Sequence, residues 1–305
     1  MTTPATPRGG TVFDIGYQRY TGPREGRRRG RLAVFKDGVR TALGLGRGGR
    51  AKVLPWFFIV VLSAIALIMA LIAGAAERFA GPGASERLNL PSHADFYAIA
   101  SMIVFVFAAV VAPELLCRDR REGVINLYLV RPLTGSDYIV ARWGAFLTVM
   151  LAATWLPQII LLIGLAMGDA SPVGYLRDNW LDIPRFLAAG LAMAAYITTL
   201  AMLTASFTTR RAYASVFLVG LFVISTPFTL GLAQEIGGAA GRWLSMFNLT
   251  NIPVHVNDLI FGQVSEITED APARELPAAV RVAWYFAWTI IPGGVLWVRF
   301  RRLTP

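Results

Sequence analysis

Six apolar stretches, at about 54–76, 97–116, 139–167, 184–207, 212–232 and 280–298, constrain this chain more than any other feature. Each holds about 19 residues or more, and at about 1.5 Å of rise per helical residue that length crosses a hydrocarbon core of about 30 Å. Only helices and closed barrels satisfy their backbone inside lipid, and the period-two alternation with frequent turns that a barrel needs is absent. The chain has 305 residues, 55% of them hydrophobic and 16% charged, which is too little polar surface to clothe a soluble globule. The expected fold is an all-α integral membrane protein with six transmembrane helices.

Charge sets the expected orientation. With the N-terminal tail, the 117–142 segment, the 208–211 turn and the C-terminus on one side, that side carries 22 of the 29 Lys and Arg. The other side carries 12 of the 19 Asp and Glu. The positive-inside rule then places both termini in the cytoplasm, and an even number of spans requires them to share a side. The net charge of +10 is therefore read as a topology signal. Clusters such as Arg27-Arg28-Arg29-Gly30-Arg31 suit anionic lipid headgroups, and no nucleic-acid partner is expected. The basic residues are almost all Arg, with Lys only at 36 and 52, the usage of a high-GC bacterium, and the expected location of such a multi-span chain is the bacterial inner membrane.

Three regions are expected. Residues 1–30 form a basic cytoplasmic tail without periodicity. Residues 31–52 hold an interfacial amphipathic helix and a Gly-rich hinge. In that helix Leu32, Phe35, Val39 and Leu43 recur at helical spacing, with Arg31, Lys36, Asp37 and Arg40 on the other face. Gly44-Leu45-Gly46-Arg47-Gly48-Gly49 has the G-x-G-x-x-G form, but it follows an amphipathic helix and precedes a span, so a hinge is expected in place of a dinucleotide site. Residues 53–305 make up the six-helix transmembrane domain. Ala73-Gly74-Ala75 resembles a signal-peptide cleavage site, but the first apolar run lies behind 52 residues and is read as a retained span.

Polar groups within the apolar regions are few. Glu114 lies near the end of the second run, and Arg118, four residues on, is its expected partner at the membrane edge, with a gating role as the alternative. Gln158 beside Pro157, and Ser225-Thr226-Pro227 with Thr229, are expected to hold helices together. The fourth run carries Ala188, Ala192 and Gly190, Ala194 at small-xxx-small spacing, which would admit another backbone. The 233–279 connection reads as short helices resting at the outer leaflet, and His93 and His255 as solvated loop residues, with no metal site. Cys117 is the only cysteine, so no disulfide forms within one copy.

Catalytic signatures are missing. There is no G-x-x-x-x-G-K-[ST] phosphate loop, no H-E-x-x-H and no G-x-S-x-G. The spans hold too few carboxylates for an ordinary ion-coupled transporter. The remaining polar feature is the island from Cys117 to Tyr138. There the charge cluster Arg118-Asp119-Arg120-Arg121-Glu122 precedes Gly123, then come Val124, Leu127 and Val130 at helical spacing, and Arg131-Pro132 stops the helix.

This arrangement resembles the membrane subunit of ABC-2 type exporters. In that family the loop between spans two and three carries a charged cluster, a Gly, an apolar helix and an [S/R]-P pair, matched here by Arg121-Glu122-Gly123, Val124 to Val130 and Arg131-Pro132. The common Gly-Thr of the loop is Gly123-Val124 here. The likeness extends to the helix before span one, the six spans and the long segment before span six. It implies a non-catalytic permease, paired with a second permease subunit in a homo- or heterodimer and docked on a cytoplasmic ABC ATPase. The coupling helix would run from Gly123 to Val130, and Arg118, Asp119, Arg120, Arg121, Glu122, Gly123, Leu127, Arg131 and Pro132 would couple it to the ATPase. No cofactor is expected in this chain; ATP and Mg would sit on the partner. The alternative is a membrane sensor or assembly scaffold that binds a cytoplasmic protein. A lipid-modifying enzyme would need a polar catalytic cluster, and none is visible.

Overall fold

The computed structural model describes residues 22, 26–46, 48–81, 83–129, 133–169 and 171–302; the side chains of Glu86, Asn126, Leu127, Leu129 and Glu266 are outside that description. Every regular element among the described residues is helical. In order they are α1 (Gly26–Ala42), α2 (Gly49–Ala80), α3 (Ala84–Arg87), α4 (His93–Arg121), α5 (Val124–Leu129), α6 (Gly135–Gly168) and α7 (Pro172–Asp178). There follow α8 (Asp182–Ser206), α9 (Arg211–Ile236), α10 (Gly238–Ser245), α11 (Asn251–Phe261), α12 (Glu266–Glu269), a 3-10 turn at Pro272–Glu275 and α13 (Ala278–Arg301). Six of these, α2, α4, α6, α8, α9 and α13, are long and apolar enough to cross a membrane, the pattern of a multi-pass membrane protein.

The helices overrun the apolar stretches, and local chemistry shows where they begin. Ser92 and Thr134 each accept from a backbone N–H, and Asp95 and Asp137 return the bond to the cap residue, so capping boxes start α4 and α6 upstream of their apolar runs. With 34 residues α6 is about 50 Å long at 1.5 Å per residue, well beyond the hydrocarbon thickness. Its first two turns therefore reach beyond the hydrocarbon thickness, where neighbouring elements bury Asp137, Tyr138 and Arg142 and polar contacts can form.

The closest helix pair is α2 with α6. A Cβ on Gly168 would lie 2.6 Å from the Gly74 Cα, and one on Gly164 would overlap Ala70. The small-residue spacing read in the fourth span serves another purpose: a Cβ at Gly190 would meet Tyr97 Oη at 2.5 Å and the Trp155 ring at 2.7 Å. Those two side chains donate to the carbonyls of Phe186 (2.7 Å) and Leu187 (3.1 Å). Gly190 makes room for side chains, and the close backbone approach is between α2 and α6. Gly168→Leu should therefore destabilise by about 1 to 3 kcal/mol or more through overpacking. A thermal midpoint in detergent equal to that of the parent protein would contradict the packing described.

The segment between α9 and α13 also departs from the outer-leaflet expectation. Trp243 and Phe247 around α10 are exposed, but every residue of α11 from Asn251 to Asp258 is buried, with α4, α8 and α13 around it. Part of the polar chemistry is met by carbonyls: Asn257 Nδ2 donates to Ala94 O at 3.1 Å and Tyr196 Oη of α8 to Leu249 O, just ahead of α11, at 2.9 Å, while the Asn251 and His255 side chains have no hydrogen-bond partner among the described residues. His93 and His255 are each 3% exposed, so neither is a solvated loop residue.

Burial, with Arg281 nearby, lowers the His255 pKa to about 4. The unfolded chain binds this proton near 6.5 and the folded chain only near 4, so the stability present above 6.5 is lost as pH falls through that window. The loss is at most about 3 kcal/mol at 1.36 kcal/mol per unit. Asp258, raised by burial, acts in the opposite sense, so the difference between wild type and His255→Gln isolates the histidine. The midpoint of H255Q should fall less than that of wild type between pH 7 and 4.5; parallel curves would contradict a neutral buried imidazole.

Candidate functional site at the basic end of the bundle

The ends of α4, α8 and α13 meet the starts of α6 and α9 at one end of the bundle, and α1 lies along α6 there. The contact of α1 with α6 requires a glycine, because a Cβ at Gly38 would be 2.6 Å from the Ala145 Cβ. Val34, Gly38 and Ala42 form the buried face of α1. Phe35, Val39 and Leu43 are half-buried beside them, whereas Leu32 is exposed. The inward stripe is thus shifted by one position from the spacing expected from the sequence. The hinge after α1 turns at Gly44 and Gly46, both with positive φ; Arg47 lies outside the described residues.

Arg142, in the second turn of α6, is the centre of this end. It is 1% exposed, and its Nη2 donates to Asp119 Oδ2 of α4 at 2.6 Å and forms an ion pair with Asp37 Oδ2 of α1 at 2.9 Å. Tyr138, one helical turn earlier, donates from Oη to the same Asp119 oxygen at 2.7 Å. Its ring packs against Tyr128 of α5 and Phe300 of α13, with centroids 5.8 Å apart in each case. One buried cation therefore joins α1, α4 and α6, and a phenol beside it reaches α5 and α13. Arg142 Nε and Nη1 have no partner among the described residues. A second pair reinforces the contact of α1 with α6: Arg27 Nε meets Asp137 Oδ2 at 2.6 Å, and that carboxylate raises the Arg27 pKa.

The charge cluster of the island divides into two faces. Asp119 belongs to the Arg142 network. Arg120 points inward and donates to Ser206 O, while Cys117 Sγ approaches Ala205 O at 3.5 Å and Thr208 O at 3.3 Å. These contacts occupy the open carbonyls at the end of α8. Arg118, Arg121 and Glu122 point outward, with Arg118 Nε 3.1 Å and Arg121 Nη2 3.8 Å from Glu122 Oε1. Gly123 follows with φ of 68°, a left-handed conformation that ends α4 and turns the chain into α5. In α5 Ile125 is buried and Tyr128 half-buried, and both approach the bundle. The Leu127 side chain, Val130, Arg131 and Pro132 lie outside the described residues, so the expected helix stop is not seen.

Glu114 pairs with a different residue from the one expected. Its Oε1 is 2.5 Å from Arg211 Nη1, at the start of α9, and Arg118 is taken by Glu122. A helical neighbour four residues away lost to a cation on an adjacent helix. A cavity of about 260 Å³ opens beside this pair, lined by Glu114, Cys117, Arg118, Arg121, Thr209 and Arg211.

Sequence reasoning passed over Asp37, Tyr138 and Arg142. The available signal was a cation and an acid flanking apolar runs on segments expected to be neighbours, but the pairing is visible only once α1 is laid on α6. Comparison with protein-family models and with curated proteins finds no match for this chain.

Proposed function

We propose that this chain is the permease subunit of an ATP-driven exporter of the ABC-2 type, with its basic end in the cytoplasm and docked on a separate ATPase that holds ATP and Mg. The observation that carries this reading is the turn from α4 to α5. Arg118, Arg121 and Glu122 are presented to solvent on a base that the buried Arg142 network ties to α1 and α6. A coupling element has to be exposed enough to bind and stiff enough to pass a displacement on to the spans. The cavity between α4 and α9 adds a socket for a side chain of the partner. Exposed Val216, Phe217, Ile224 and Phe228 on α9, and Ile290 and Ile291 on α13, offer apolar faces to lipid or to a second permease subunit.

The test is reconstitution of the chain in vesicles together with a candidate ABC ATPase subunit, sought first among the neighbouring genes. The reading predicts a stable complex whose ATP hydrolysis rises on reconstitution. A chain that binds the ATPase without changing hydrolysis or moving any cargo would be a scaffold, contrary to the proposal. Orientation has its own test: Val173→Cys, in the exposed α7, should react with an impermeant thiol reagent added outside cells, and Arg121→Cys should react only after the membrane is opened. The reverse pattern would invert the topology.

A further inference from the structure

A cavity of about 510 Å³ lies at the end of the bundle opposite the basic platform, among α2, α4, α6, α7 and α8. Its charged lining is Glu77, Asp169, Asp182 and Arg185, and His93 and Tyr175 also border it. Glu77 is committed, since its carboxylate accepts from Gly83 N at 2.7 Å and from Ser85 N at 2.9 Å. Arg185 Nη1 is 3.3 Å from Asp182 Oδ1, and Ser171 N donates to Asp169 Oδ1 at 2.9 Å. One oxygen of Asp182 and one of Asp169 have no partner among the described residues.

His93 supplies an independent sign that something is to be bound. It is 3% exposed and its Nε2 has no hydrogen-bond partner among the described residues. The proton can be placed: Gln158 Nε2 donates to the His93 carbonyl at 3.0 Å, which turns Gln158 Oε1 toward the ring, 2.5 Å from Nδ1. Because Oε1 only accepts, Nδ1 carries the hydrogen and Nε2 presents a lone pair. The ring is held by stacking on Phe186, with centroids 5.6 Å apart. A buried acceptor without a donor is costly, and a ligand N–H removes that cost. The start of α4 carries positive partial charge, but its capping box is already made there, Ser92 Oγ accepting from Ala94 N and Asp95 accepting from Ser92 N. The Tyr175 phenol, its pKa raised to about 12 chiefly by burial, stays neutral at physiological pH.

The geometry points to a binding site for a primary ammonium group, with His93 Nε2 and the carboxylates of Asp182 and Asp169 as acceptors and the remaining cavity taking the body of the ligand. The amine comes either from a free small molecule or from the ethanolamine headgroup of a phospholipid. The site stands on this geometry whether or not the chain is an exporter.

The experiment is calorimetric titration of the purified full chain in phosphatidylcholine nanodiscs with 4-phenylbutylamine, 4-phenylbutanol and 4-phenylbutyrate. The amine should bind, and the alcohol and the acid at least about tenfold more weakly. Asp182→Asn and His93→Phe should each weaken the amine by about tenfold or more, with thermal midpoints showing which variants fold. If H93F fails to fold, the Asp169→Asn, Asp182→Asn double variant carries the test. Competition by added phosphatidylethanolamine assigns the site to the lipid headgroup; undiminished binding assigns it to a free amine. Equal affinity for amine and alcohol, no amine binding at all, unchanged affinity in D182N, or displacement of the amine by millimolar calcium would each overturn the proposal.

Discussion

Replacing Arg142 by methionine should cost about 3 to 5 kcal/mol, the largest stability effect expected from a single substitution here, and loosen α1, which keeps its buried face and the Arg27–Asp137 pair. The reason is asymmetry. Arg142 is 1% exposed and is the cation between Asp119 and Asp37; without it the buried Asp119 carboxylate is left among α4, α6 and Tyr138 with no ion-pair partner among the described residues. Asp37 has a side chain 53% exposed and can turn to water, so Asp37→Asn should cost less, within about 1 kcal/mol. A double-mutant cycle on R142M and Asp119→Asn separates the cost of the orphaned acid from the worth of the pair, and the double variant should recover part of the loss. Thermal unfolding in detergent measures the first effect. Protease sensitivity of the 26–46 segment reports the loosening of α1. Equal stability of R142M and wild type would show that the Arg142 network does not hold the ends of α4 and α6 together.

The second large effect concerns function. Arg121 and Glu122 have side chains 64% and 41% exposed, and among the described residues Arg121 makes only a long ion-pair contact, at 3.8 Å, with its neighbour. Reversing both, as Arg121→Glu with Glu122→Arg, leaves the local net charge unchanged and touches none of the buried pairs. The fold should survive. Opposed like charges across a docked surface cost several kcal/mol, so binding to the ATPase and the stimulation of hydrolysis should fall by at least about thirtyfold. Full stimulation by a stably inserted double variant would remove the α4–α5 turn from the coupling surface. R142M and the charge reversal together distinguish the two halves of the account, since the first loosens the base and the second alters only the contact.

Much of the fold was legible in the sequence because lipid imposes one rule on every span. An apolar run of 19 residues has to be a helix, and the six runs lie inside or within a residue of the six long helices observed. The ends were readable where chemistry is local, as at Ser92 with Asp95 and Thr134 with Asp137. What escaped depends on packing between distant segments. His93 and His255 have the sequence context of loop residues, yet one is caught by Gln158 and stacked on Phe186 while the other is carried inward on α11. Glu114 prefers Arg211 to its helical neighbour because α9 begins beside it. In the island, composition announced a charged surface but could not divide it. Asp119 and Arg120 turn inward because the end of α4 passes Tyr138, Arg142 and the last carbonyls of α8, leaving Arg118, Arg121 and Glu122 to face out.

The most direct test of the central claim is a cross-link from the proposed contact. In a Cys117→Ser background, which keeps a donor to the end of α8, a photoreactive thiol label on Arg121→Cys should join this chain to the ATPase subunit in the assembled complex. The same label on Val173→Cys, in α7 at the other end of the bundle, should not. A cross-link to the ATPase from position 173, or none from position 121 in a complex that still hydrolyses ATP, would contradict the account.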